Sequence, residues 1–262
     1  DEFEEGGGVT PLHEAAINGH LAICQLILDN IVNKNPKDET GNTPLHHSAE
    51  QDHFEICKLI ISCIEDKNPV NEFGETPLHI AAEFGHVEIY KLIIGCILDK
   101  NPKDNSGNTP LHHSAEHGHL EICKYVINCI EDKNPENDDG DTPLHNAARS
   151  GHLEIYLFVM INVEEKNPLN KNRMTPLHIA ARYGHTEICQ FIMTNVKEKN
   201  PLNENRMTPL HLAAGSGHLT VCQLIGTYVK DLHHPGLQTN IMSPLFLAAK
   251  NGHLGVCEFL IS

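Results

Sequence analysis

The chain has 262 residues, with 35 acidic against 19 basic side chains and a net charge of −16 when histidine is neutral. That balance disfavours nucleic acid as a partner, because a phosphate backbone rewards basic surfaces. No apolar run of about eighteen residues occurs and no charged-then-apolar amino terminus, so neither a membrane-spanning helix nor a secretory signal is expected.

In chain order, residues 1–9 stand outside any pattern. Thr-Pro-Leu-His then opens at Thr10, Thr43, Thr76, Thr109, Thr142, Thr175 and Thr208, each 33 residues after the last, and Ser243-Pro244-Leu245-Phe246 follows 35 residues later. Eight repeats therefore begin at 10, 43, 76, 109, 142, 175, 208 and 243, the last incomplete. A period of this size marks a solenoid, in which each repeat buries its apolar face only against its neighbours. The core grows by addition, so the chain is expected to form a single repeat domain although it exceeds the size of an ordinary one-core domain.

Within a repeat, Thr is a strong helix N-cap and Pro suits the first helical position, where no amide donor is needed. A short first helix is expected over Thr76 to Phe84, ended by Gly85 in the left-handed conformation, with the small Ala81-Ala82 pair allowing close helix contact. His86 onward reads as a longer second helix, apolar at Val87, Ile89, Leu92, Ile93, Ile94 and Ile97 and so buried on more than one side. Lys100 to Asn108 follows, where Pro102 stops the helix and an Asn/Ser/Gly turn makes a hairpin finger.

The 33-residue order of helix, turn, helix and finger, with Thr-Pro-Leu-His, Ala-Ala and Gly-His-Leu-Glu, resembles the ankyrin repeat over residues 9–262. The resemblance implies an all-α solenoid of helix-turn-helix units with hairpin fingers. Three departures stand out. Where the family ends its second helix with Gly-Ala, Ile64, Ile97, Ile130, Val163 and Val196 stand instead, and the helix is expected to run about one turn longer. The turn glycine of the finger (Gly41, Gly74, Gly107, Gly140) becomes Arg173, Arg206 and Ile241, so those tips are expected to change geometry, with Asn172 or Asn205 at positive φ. Asp52 replaces the glycine that follows the first helix, a site Asp tolerates less well.

The nine cysteines fall on the repeat grid. Cys24, Cys57, Cys123, Cys189, Cys222 and Cys257 share one site in the second helix, where Tyr90 and Tyr156 stand in repeats three and five; Cys63, Cys96 and Cys129 share another. Stacked helices lie about 8–10 Å apart, beyond the roughly 7 Å that a disulfide spans between Cα atoms. Free, mostly unreactive thiols in a reducing, cytoplasmic setting are expected. No Cys-x-x-Cys pair suggests a metal.

Fifteen of the twenty histidines recur in every repeat as scaffold, leaving His47, His113, His117, His233 and His234 to inform. His113 and His117 lie four apart on a first helix, a spacing that suits one metal ion with Glu83 or Glu116. Without a fixed third ligand it reads better as a solvated or peptide-contacting face. No nucleophile elbow, phosphate loop or His-Glu-x-x-His occurs, so no enzyme and no cofactor are expected.

Function should then reside in what varies between repeats. The resemblance implies a partner surface on a concave side made by the finger tips and the outward ends of the first helices. That column reads Glu50, Glu83 and Glu116, then Arg149 and Arg182, with Phe84, His117 and Tyr183 alongside. The fingers run Glu39, Glu72, Phe73, Glu75, Asp138, Asp139 and Asp141 before Lys171, Arg173 and Arg206. Residues 1–141 hold 27 acidic and 9 basic side chains, and residues 142–262 hold 8 and 10, including all four arginines. Met174, Met207 and Met242 occupy one finger column, where methionine readily fills gaps.

The expectation is a non-catalytic scaffold for a protein or extended peptide, basic towards repeats two to four and acidic or phosphorylated towards the arginines. A structural tether without a groove ligand, or an engineered binder on this scaffold, are the alternatives. Residue 262 falls inside the second helix of repeat eight, so Leu260 and Ile261 are expected to be partly exposed, with weak self-association there.

Overall fold

The computed structural model describes residues 8–229 and 242–262. Ile241, His233 and His234 lie outside the described residues, which form sixteen α-helices and no strand. The chain divides into two compact units, residues 1–132 and 133–262.

In the N-terminal unit the first helices are α1 (Pro11–Ile17), α3 (Pro44–Glu50), α5 (Pro77–Phe84) and α7 (Pro110–His117). The second helices are α2 (Leu21–Asn30), α4 (Phe54–Cys63), α6 (Val87–Cys96) and α8 (Leu120–Cys129). The C-terminal unit repeats the order with first helices α9 (Pro143–Ser150), α11 (Pro176–Tyr183), α13 (Pro209–Ser216) and α15 (Pro244–Lys250). Its second helices are α10 (Leu153–Asn162), α12 (Thr186–Asn195), α14 (Leu219–Tyr228) and α16 (Leu254–Ile261).

Each helix starts at the proline that the sequence places after Thr or, in α15, after Ser243, or at the residue after His. Within each unit, first helices pack on first helices and second on second: α1 on α3 on α5 on α7, and α9 on α11 on α13 on α15. The leucine of the tetrapeptide is the anchor, for Leu45, Leu78, Leu111 and Leu144 are wholly buried. Full burial of such a side chain contributes about 1.5–3 kcal/mol. The alanines that follow are buried too, and where Ser48 and Ser114 replace alanine, their hydroxyls meet Cys57 Sγ and Cys123 Sγ at 3.2 Å.

The second helices are not lengthened. α4 ends at Cys63, and Ile64 is already extended, at φ −110° and ψ 156°, while still buried. Ile130 and Val163 do the same, and Ile97 and Val196 are extended as well but half-buried. An extended residue folds its side chain back on the core without another turn, so the apolar stripe continues although the helix does not. A lysine then satisfies the open carbonyls that a glycine cap would have served. Lys67 Nζ reaches Ile61 O and Ile64 O, Lys100 reaches Ile94 O and Ile97 O, and Lys199 reaches Met193 O and Val196 O. Its charge also suits the negative end of the helix.

The fingers keep one geometry, against expectation. Arg173 and Arg206 themselves take positive φ, 56° and 60°, where Gly41, Gly74, Gly107 and Gly140 lie at 75–77°. The turn that fixes the glycine fingers recurs: Gly140 N donates to Asn137 O and Arg173 N to Asn170 O. Neighbouring fingers within a unit are also tied the same way, Glu72 N to Thr40 O and Glu204 N to Asn172 O. These backbone bonds outweigh the cost of about 1–2 kcal/mol that a left-handed side chain imposes.

Asp52 is likewise at φ 58°. It occupies the position of Gly85, where an added Cβ would lie 2.4 Å from the His119 ring. Its carboxylate is 3.5 Å from His86 Nδ1 but mostly exposed, so little attraction offsets the strain. Leu260, expected near the surface, is buried, whereas Ile261 is exposed.

All nine cysteines are free, but they are not alike. Cys24, Cys57, Cys123, Cys189 and Cys222 are buried, and burial pushes the last four thiols up to about 12. Cys96 and Cys129 end α6 and α8 and are exposed, so their shared site is not packed as expected.

Two outcomes are expected. Asp52→Gly should stabilise the protein by about 1 kcal/mol, read as a higher urea midpoint. With a thiol reagent on native protein, mass mapping should find Cys96 and Cys129 labelled first, and the five buried cysteines only after unfolding.

Candidate functional site

The tetrapeptide histidine joins three pieces of chain. In His46, Nδ1 accepts the backbone N–H of Thr43 at 3.0 Å, which fixes the proton on Nε2, and Nε2 donates to Glu75 O of the next finger at 3.2 Å. His13 and His79 repeat this in the N-terminal unit, and His145 and His178 in the C-terminal unit. A second set ties each repeat to the first helix before it: His86 Nε2 donates to Glu50 O, His119 to Glu83 O and His185 to Arg149 O. These histidines are scaffold, and burial lowers His46, His79 and His178 to about 4.

His47 and His113 are different, and their partners are not evident from either residue alone. His47 Nε2 lies 2.8 Å from Asp38 Oδ2 and His113 Nε2 lies 3.0 Å from Asp104 Oδ2, both in the N-terminal unit. Each aspartate uses its other oxygen to hold its finger turn, Asp38 accepting from Thr40 N and Asn42 N and Asp104 from Ser106 N and Asn108 N. The other described fingers have Asn71, Asn137, Asn170 or Asn203 here, above Ile80, Asn146, Ile179 or Leu212. An aspartate thus appears only where a histidine follows nine residues later, and that covariation is the signal the sequence reading missed. Burial opposes charge on both groups of the second pair. The mutual hydrogen bond prevails, holding Asp104 down at about 2 and raising His113.

His13, Asp38 and His47 place possible ligand atoms within 4.8 Å of one another. The tautomer speaks against a metal there: Nδ1 of His13 is occupied by Thr10 N–H at 3.1 Å, so Nε2 carries the proton and has no lone pair for an ion. His113 and His117, paired in the sequence reading, also do not converge. His113 turns to Asp104, while His117 Nδ1 bonds His113 O at 3.0 Å and its Nε2 lies 4.0 Å from Glu83.

The remaining expected residues fall on exposed helix ends and finger tips. In the N-terminal unit Phe73 is 59% and Phe84 44% exposed, with Phe84 stacked on His86 at 6.2 Å. Glu50, Glu83 and Glu116 are half-buried at the last turns of α3, α5 and α7, and Glu50 lies 3.8 Å from His47 Nδ1. In the C-terminal unit Tyr183 is 48% exposed and stacked on His185 at 6.5 Å. Arg182, Arg173 and Arg206 are exposed. Arg149 is not available as expected, because its guanidinium is bound by Asp141, which is itself buried, and by Asn146. Asp141 drops out of the acidic surface for the same reason. Met174 is buried, as a packing residue would be.

A family model for ankyrin repeats (three copies) matches residues 2–70, 60–137, 91–168, 114–201, 156–233 and 193–262. The chain belongs to the ankyrin-repeat family. Ankyrin repeats generally mediate protein–protein interaction and are generally not enzymes. A search of the curated proteins finds no match. Among the described residues of this ankyrin-repeat chain, no helix is long and apolar enough to cross a membrane.

The buried histidines give a signed pH response. Their folded pKa is depressed, so the stability they contribute is fully present above about 6.5 and is lost as pH falls towards about 4, where the folded protein also takes the proton. Each costs at most about 3 kcal/mol over that window. His113, raised by Asp104, acts oppositely but is one group. Urea unfolding at pH 7 and pH 4.5 should therefore show a loss of several kcal/mol, and His79→Gln should reduce the slope between them.

Proposed function

We propose that this chain is a non-catalytic scaffold that binds a protein or extended peptide on the surface formed by finger tips and first-helix ends. The observation that carries this reading is the exposure of Phe73 and Phe84 beside Glu72 and Glu83. Interface energy concentrates in a few aromatic and arginine residues, and an exposed aromatic within a field of like charge favours an oppositely charged partner. In the N-terminal unit that partner is basic, facing Glu50, Glu83, Glu116 and His117. In the C-terminal unit the exposed cations include Lys171, Arg173, Arg182 and Arg206, with Tyr183, so a ligand there is acidic. The nine free cysteines, five of them buried, support a reducing, cytoplasmic compartment.

The test uses a labelled decapeptide alternating lysine and alanine. Glu83→Lys with Glu116→Lys should weaken its binding about tenfold or more, a loss of at least about 1.4 kcal/mol. Glu65→Lys with Glu131→Lys changes net charge equally, just beyond the ends of α4 and α8, and should cost less than about twofold. Equal losses in the two double variants, or unchanged binding by Phe84→Ala, would remove the assignment.

A further inference from the structure

Among the described residues only three that are not glycine have positive φ: Asp52, Arg173 and Arg206. The two arginines stand at the same place in consecutive fingers, one repeat apart, and those fingers are joined by the bond from Glu204 N to Asn172 O at 2.9 Å. The site is built for glycine. A Cβ added at Gly41 would lie 2.9 Å from Glu72 N, at Gly74 2.6 Å from Asn105 N, and at Gly140 2.8 Å from Lys171 N, each a backbone atom of the following finger. Arginine here carries the left-handed strain that glycine avoids. Strain retained at two consecutive tips points to a use for the side chain.

Among the described residues that use is not internal. Neither guanidinium makes a hydrogen bond or ion pair among the described residues, and the same holds for Arg182 on the exposed end of α11. Arg149, by contrast, is bound by Asp141. Five fixed donors on each of three exposed guanidiniums suit carboxylates, which they bind bidentately. Arg173 also lines a cleft of 440 Å³ with Leu169, Thr175 and Leu202, and the two leucines are 45% and 43% exposed. Glu198 is the acid on that cleft. The surface therefore offers cations for acidic side chains and apolar footing for a peptide's aliphatic parts.

We propose that Arg173 and Arg206, with Arg182, recognise an acidic segment of a partner protein, at a cost in stability to this chain. This deepens the scaffold reading above and rests on it for the class of ligand, but it concerns the C-terminal unit alone. The net charge of −16 favours a peptide, whose charge is local, over a nucleic acid, whose charge is continuous.

The experiment measures fluorescence anisotropy of a labelled (Glu-Gly)5 peptide, with (Gln-Gly)5 and a single-stranded ten-nucleotide oligothymidylate as comparisons. The intact chain should bind (Glu-Gly)5 well above (Gln-Gly)5, and less tightly as salt rises. Arg173→Gly with Arg206→Gly should weaken that binding at least tenfold while raising the urea midpoint, since the backbone regains the residue it suits. A merely structural role predicts the gain in stability with unchanged affinity, and that result would overturn the proposal. Tighter binding of the oligothymidylate through the same arginines would overturn it as well. The lysine–alanine peptide run in parallel separates the two readings. If it binds and (Glu-Gly)5 does not, the acidic-segment site falls and the basic-partner reading stands; the reverse outcome keeps this site and removes the other.

Discussion

One uncharged imidazole in each of repeats one, two, three, five and six holds its helix to the next finger. By accepting the N–H of the threonine that opens its own helix and donating to a carbonyl of the next finger, His46 satisfies two backbone groups that burial would otherwise leave unpaired. Both bonds need the neutral ring with its proton on Nε2. Burial supplies that condition by penalising the charged form, so the contact that aligns repeats and the depressed pKa are one physical fact. The same proton placement denies His13 a lone pair for a metal although a carboxylate and a second histidine stand nearby.

With that ladder in place, the fingers have little freedom. Each described finger turn is closed by an Asp or Asn side chain and tied by a backbone bond to a neighbour, so a substitution at the tip changes what the finger presents and not how it is folded. Arg173 and Arg206 adopt the glycine conformation because those bonds outweigh local strain. The aspartates in two fingers follow the same logic. Asp38 and Asp104 keep the turn with one oxygen and engage His47 and His113 with the other, and asparagine serves where no histidine is present.

The ends of the second helices illustrate how a sequence departure is absorbed. Loss of the family's Gly-Ala does not lengthen the helix, because Lys67 and its counterparts bring an ammonium to the last carbonyls while Ile64 turns extended and stays in the core. Polar termination and apolar burial are thus provided by different residues. Periodicity reads only the second of them, and it therefore extends the helix by a turn that the backbone does not make.

The sequence by itself determined the repeat length, the helix starts and the buried leucines, because capping, proline and apolar spacing act over a few residues and recur identically. It also singled out Phe73, Phe84 and Tyr183 with Arg173, Arg182 and Arg206, all of which are exposed. Only the tertiary structure decided which charges were already spent. Arg149 reads as part of a helix column and Asp141 as part of the finger series, and they are bound to each other; His113 and His117 read as neighbours and point to different carboxylates. Such pairings depend on which atoms from finger and helix lie within about 3 Å, a distance that spacing along one chain does not encode.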